Sequence, residues 1–245
     1  MIHYEAAGHG IPLVLLHGIG SNSRSWSRQL AALATDFRVI AWDAPGFGKS
    51  EDPKADTPSI RYYADSLRSL FDAAQLKNAI VLGHSLGGLI AQEFYRCYPD
   101  RVQSLILADT TQGGARHLEQ RLHMIRTLTP AALARERAPH LLSKTAPQEL
   151  IDEAVEIMAE VRRPGYEFAA LAMAQSDLRG VLDDIRIPLL MIWGAEDEIT
   201  PLWQGWPSRA RLEVIPNAGH LCYIEQPERF NSIVRKWAEK ETRGS

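Results

Sequence analysis

The stretch VLGHSLGG, residues 81–88, holds a serine between two glycines at the end of an apolar run. A serine hydroxyl is a weak nucleophile. It attacks a carbonyl only when a base takes its proton and a third group orients that base. The base expected here is His220, which ends the segment IPNAGH just after the apolar run 211–215. The acid expected is Asp197, in IWGAEDEITP after the run 188–193; its neighbours Glu196 and Glu198 suit a solvated loop. Asp109, after the run 102–108, is the alternative acid. The remaining histidines have weaker claims. His84 adjoins Ser85, with a side chain expected to point away along the turn, and His3, His9, His117, His123 and His140 fall near the edge of the fold or in its middle region. A tetrahedral oxyanion needs donors as well. HGIG, residues 17–20, follows the run 12–16 and offers the Ile19 N–H. The Leu86 N–H, at the start of the helix expected after Ser85, offers the second and adds the favourable end of a helix dipole.

Such residues meet only if the chain brings its loops to one edge of a sheet. Apolar runs at 12–16, 37–42, 79–82, 102–108, 188–193 and 211–215 alternate with helical patterns, and they are apolar on nearly every residue. That suits strands buried on both faces, as in a parallel sheet covered by helices. Residues 1–7 alternate loosely and read as an antiparallel edge strand. In a sheet of this kind loops after the strands' carboxyl ends form the ligand crevice. Gly83-His84-Ser85-Leu86-Gly87 falls where a strand turns into a helix, and the glycines leave room for that sharp turn.

Between residue 111 and about 180 the strand rhythm stops. Leu118, Leu122 and Ile125 share one helical face; Leu150, Ala154, Ile157 and Val161 share another. Thr129 before Pro130 marks a helix start, and Thr145 with Gln148 fits a capping box. These spacings predict a helical cap, residues 111–180, inserted into an α/β core made of residues 1–110 and 181–245. Trp26, Met124, Met158, Phe168 and Trp203 are candidates to face a pocket beneath it.

Composition excludes several classes. The 245 residues are 45% hydrophobic, enough for a sizeable core and unlike a disordered chain. A net charge of -3 gives no electrostatic reason to expect nucleic acid or an anionic membrane as partner. MIHYEAAG lacks the features of a signal peptide, no apolar run approaches the roughly 20 residues that span a bilayer, and KETRGS reads as a frayed tail. Cys97 and Cys222 suggest neither a disulfide framework nor a metal site, so a cytoplasmic setting is expected, with no metal or other cofactor. Oligomeric state is left open.

The segments LLHGIGSNSRSW, VIAWDAPGFGKS, GHSLGG, ADTTQGG, IWGAEDEITP and IPNAGHLCYIEQPERF resemble the successive signatures of the α/β-hydrolase superfamily. GYEFAALAMAQSDLRGVLDDIRIPLL is similar to the cap exit of the 3-oxoadipate enol-lactonase group and its esterase relatives, although ADT stands where ANT is more usual. The resemblance implies a mostly parallel, doubly wound sheet with a helical cap after the sixth strand. It also implies a cofactor-independent hydrolase acting on a small carboxylic ester or lactone, with Ser85, Asp197 and His220 as triad and Ile19 and Leu86 as oxyanion donors. Rivals on the same scaffold are carbon-carbon bond hydrolases, cofactor-free perhydrolases and slow-turnover ligand receptors. Haloalkane dehalogenases need an aspartate where Ser85 stands.

Overall fold

The computed structural model describes residues 1–114, 118–202 and 205–243. His117 and Trp203 therefore lie outside the described residues. Seven strands form one sheet: β1 (Tyr4–Ala7), β2 (Ile11–Leu16), β3 (Phe37–Trp42), β4 (Ala79–His84), β5 (Val102–Ala108), β6 (Leu189–Gly194) and β7 (Arg211–Ile215). Their order is β1-β3-β2-β4-β5-β6-β7, with β1 antiparallel to β3 and every other pair parallel. Helices α1 (Ser27–Leu33), α2 (Ile60–Ala73) and α3 (Leu86–Cys97) connect the first strands. After β5 come α4 (Leu118–Thr127), α5 (Pro130–Arg137), α6 (Gln148–Met158), α7 (Arg163–Gln175) and the short α8 (Val181–Asp184). The chain ends with α9 (Cys222–Glu225) and α10 (Pro227–Arg243).

The strand period sorts residues to two cores. Val14 and Leu16, Ile40 and Trp42, and Leu105 and Leu107 pack with α2 and α3. Their alternates Leu13 and Leu15, Val39 and Ala41, and Ile106 and Ala108 pack with α1 and α10. Each such Leu, Ile or Val contributes about 1.5–3 kcal/mol when wholly buried. This is the α/β-hydrolase fold, doubly wound and mostly parallel. The helical insertion leaves after the fifth strand rather than a sixth, because only β1 and β3 extend the sheet beyond β2. Nor does Thr145 cap a helix. Ala146 precedes Pro147, which bars it from helical backbone, so α6 starts at Gln148 with Pro147 at its N-cap. Thr129 does cap α5, its Oγ1 accepting from the Ala132 N–H at 3.2 Å.

Polar contacts dock the α4–α7 segment on the sheet. Arg162 donates to the carbonyls of Gly48 and Ser50 and pairs with Asp52. Arg28 grips Glu153 through two bonds of 2.5 and 2.7 Å, and Glu160 accepts from Asn22 and Arg24. Pairs this exposed contribute roughly 0–1 kcal/mol each, so they fix orientation more than stability.

Candidate active site

Ser85 sits on the turn from β4 into α3 with φ +53° and ψ -115°, a strained backbone for a residue with a side chain. Its surroundings hold it there. The Ser85 N–H donates to the Ala108 carbonyl at 3.0 Å, and the Ser85 carbonyl accepts from Thr110 Oγ1 at 2.6 Å. A Cβ on Gly83 would stand 2.2 Å from the Gly87 carbonyl oxygen, and one on Gly87 would stand 2.1 Å from that of Leu16. Only glycine fits between strand, turn and neighbouring loop.

Asp197 follows β6, and both its oxygens are engaged. Oδ1 accepts from the N–H groups of Ile199 and Thr200 at 2.8 and 3.0 Å, while Oδ2 accepts from Thr200 Oγ1 at 2.5 Å and from His220 Nδ1 at 2.9 Å. Burial alone would raise this carboxyl, but the His220 imidazole and the Thr200 donors outweigh it and hold it well below the usual range. It is ionised. With Asp197 accepting at Nδ1, a neutral His220 keeps its lone pair at Nε2.

Ser85, Ile19, Thr200 and His220 face one cavity of about 550 Å³ between the sheet edge and α4–α7. Among the described residues no hydrogen bond joins Ser85 to His220; unliganded sites often hold such pairs loosely. The loop of Ile19 is fixed by buried His17, whose Nδ1 donates to the Gly18 carbonyl at 2.8 Å and whose Nε2 accepts from the Ala44 N–H at 3.0 Å. Burial pulls the His17 pKa down, in keeping with the neutral ring these bonds require. Leu86 opens α3.

His84 departs from expectation. Its ring does not point away; it lies tilted at 55° with its centroid 4.7 Å from that of the His220 ring, and donates from Nε2 to the His220 carbonyl at 2.7 Å. The turn that follows it, with φ +53° at Ser85, leaves the His84 ring beside His220 rather than directed away from the site. Burial and nearby His220 lower the His84 pKa to about 3, so the ring stays neutral. Glu225 supports the same loop, accepting from the N–H groups of Gly219 and Ser143.

Asp109 is wholly buried behind Asp197. Its oxygens accept from the Gly194 N–H at 2.8 Å and from Cys222 Sγ at 2.9 Å. Burial and then the Asp197 charge push its carboxyl well above the usual range, the opposite direction to Asp197. Among the described residues it makes no hydrogen bond with His220, which pairs with Asp197 instead. Of the expected pocket residues Met158 lines the cavity, whereas Trp26 stacks on Tyr223 in the core and Phe168 packs against Tyr62 and Tyr63. Met124 is packed against the core. Arg121 and Arg137, which sequence reasoning did not single out, do line it. Among the described residues no group of acids, histidines and cysteines could hold a metal ion, and no helix is long and apolar enough to cross a membrane.

A parallel sheet with a strained serine turn at its carboxyl edge, facing a histidine bonded to a buried carboxylate, defines a hydrolase scaffold. The chain belongs to the alpha/beta hydrolase family, whose sequence model matches residues 13–233. It is 30% identical to 3-oxoadipate enol-lactonase 2 of Acinetobacter baylyi over 91% of this chain and 86% of that one. It is 29% identical to the 2-hydroxy-6-oxo-6-phenylhexa-2,4-dienoate hydrolase of Comamonas testosteroni, over 95% and 89% respectively. A thermophilic esterase from Thermogutta terrifontis, solved with malate bound, superposes with a TM-score of 0.89 at 30% identity, covering 98% of this chain and 93% of that one.

Proposed function

We propose that this protein is a serine hydrolase that cleaves small carboxylic esters or lactones through an acyl-enzyme, with residues 111–180 as the cap over its site. One observation carries the reading: the ring of His220, held at Nδ1 by ionised Asp197, shares a cavity with a serine on a strained turn. Ser85 Oγ attacks the carbonyl carbon while His220 Nε2 takes the hydroxyl proton. The N–H groups of Ile19 and Leu86 hold the oxyanion. Collapse breaks the bond to the alkoxy oxygen, which leaves with the proton from His220; in a lactone it stays tethered. Water then adds to the acyl carbon, giving its proton to His220, and as the acid departs Ser85 Oγ takes that proton back from His220 Nε2.

Two of the proteins it is similar to, an esterase and an enol-lactonase by their names, support this class. The test is a panel of p-nitrophenyl esters of graded chain length alongside simple lactones, with the Ser85→Ala protein as blank. Turnover by the native chain, reduced about 10⁶-fold in kcat by Ser85→Ala, is expected. Equal turnover by both proteins would dismiss the mechanism.

A further inference from the structure

The two edges of the sheet differ in what they offer. β1 exposes Glu5 and Ala6 and no large apolar side chain. β7, at the other end, leaves Leu212 and Val214 40% and 39% exposed, two of the few large apolar side chains so open among the described residues. Among the described residues no strand pairs with the outer side of β7. The Ala195 N–H donates to the Ile215 carbonyl at 2.9 Å, so Ile215 turns its backbone groups toward β6. By the two-residue period Arg211 and Glu213 do the same, and Leu212 and Val214 direct their N–H and C=O groups outward. An edge of this kind is a template for another strand, and natural sheets cover or blunt theirs. β7 carries neither proline nor lysine and pairs with β6 without a bulge.

The side chains say which strand fits. Arg211 and Glu213 stand on the face that α10 covers, in register with Leu190 and Ile192, and Arg211 donates to Glu213 at 2.6 and 2.8 Å. Leu212 and Val214 stand on the opposite face, in register with Met191 and Trp193. A second β7 brought up antiparallel must set outward-facing residues against outward-facing residues, which leaves two central registers. With Leu212 opposite Leu212, Arg211 of each strand lies opposite Glu213 of the other, while the two leucines meet on the far face. With Leu212 opposite Val214, Glu213 faces Glu213, a like-charge pair that opposes pairing. A stretch whose charges and apolar groups complement their own copies is what an isologous two-fold interface requires. We propose that β7 is the docking edge for a second copy of this chain, the strands pairing antiparallel about Leu212 so that two seven-stranded sheets run on as one. The pairing does not depend on the hydrolase reading.

The test is sedimentation velocity over a range of protein concentrations, with charge variants that separate this edge from any other contact. The native chain should sediment as a dimer that dissociates on dilution. Arg211→Glu makes every charge on the paired strands negative and Glu213→Arg makes every one positive. Each variant alone should therefore dimerise at least about 10-fold more weakly, the two cross-strand pairs being lost together. Mixed one to one, the two variants should associate about as tightly as the native chain, because an acidic strand then faces a basic one. Leu212→Pro removes an outward N–H while sparing the bonds to β6, and should be monomeric. Circular dichroism and thermal melts should show the charge variants folded, since a pair as open as Arg211 with Glu213 contributes little. Should Leu212→Pro unfold, the charge variants decide alone. A native chain monomeric throughout, single variants that dimerise as the native chain does, or a mixture that stays monomeric would each overturn the docking edge.

Discussion

Replacing Asp197 with asparagine separates the two buried acids by what each does for His220. The amide has two orientations. With its NH2 toward the Ile199 and Thr200 N–H groups it meets donors with donors, forfeiting two hydrogen bonds of 2.8 and 3.0 Å at about 1–3 kcal/mol each. It therefore turns its NH2 toward His220 Nδ1, now 2.9 Å from Oδ2. The ring must then accept at Nδ1 and carry its proton on Nε2, leaving no lone pair for Ser85. A wrong tautomer of this kind costs about 10⁴ in kcat, roughly 5.4 kcal/mol of barrier. Asp109→Asn puts an amide that still accepts from Gly194 where burial already disfavours the charged carboxylate, so kcat/KM should fall by no more than about fivefold, under ~1 kcal/mol, with the pH profile unmoved. The assay is steady-state hydrolysis of an activated ester from pH 5 to 9. Asp197→Asn within tenfold of the native rate, or Asp109→Asn as damaging as Asp197→Asn, would refute the assignment.

Gly87→Ala drives a Cβ to 2.1 Å from the Leu16 carbonyl oxygen and 2.9 Å from that of His17, both backbone atoms that cannot swing aside. Calorimetry should show a loss of about 3 kcal/mol, or roughly 6–12 °C in Tm, together with lost turnover as the Ile19 and Leu86 donors part. Native-like melting would remove the steric account of the turn. His84 makes stability pH-dependent: unfolded, it takes a proton near pH 6.5, whereas folded it does so only near 3, so stability present above 6.5 is lost as pH falls through that window. Between pH 7.5 and 5.0 this one ring should account for about 2 kcal/mol of lost stability in urea titrations. His84→Gln should flatten that slope by the same amount; an identical slope in both proteins would rule the ring out as its source.

The strands were legible because a residue run buried on both faces is apolar throughout, and the serine turn because glycine leaves a signature wherever backbone must pass at contact distance. Ser85, Asp197 and His220 were singled out by the loops they occupy, which the parallel sheet collects at one edge. His84 was misread because its direction depends on how the turn at Ser85 packs against the His220 loop, which the residue spacing does not encode. Thr200 went unnoticed because a threonine three residues past an acid is commonplace; only the fold turns its hydroxyl onto Asp197. Arg121 and Arg137 were hidden for a different reason. Helical periodicity tells which face of α4 or α5 is apolar, but whether an arginine on its margin finds a carboxylate depends on tertiary neighbours.

Labelling with a fluorophosphonate tests the activated serine most directly, because the reagent needs nucleophile, base and oxyanion donors but no particular substrate. Intact-mass measurement should show one phosphonyl group per chain, located by peptide mapping on Ser85, absent from Ser85→Ala and formed far more slowly in Asp197→Asn. A folded native protein that stays unlabelled, or that carries the group elsewhere with Ser85 free, would contradict the account.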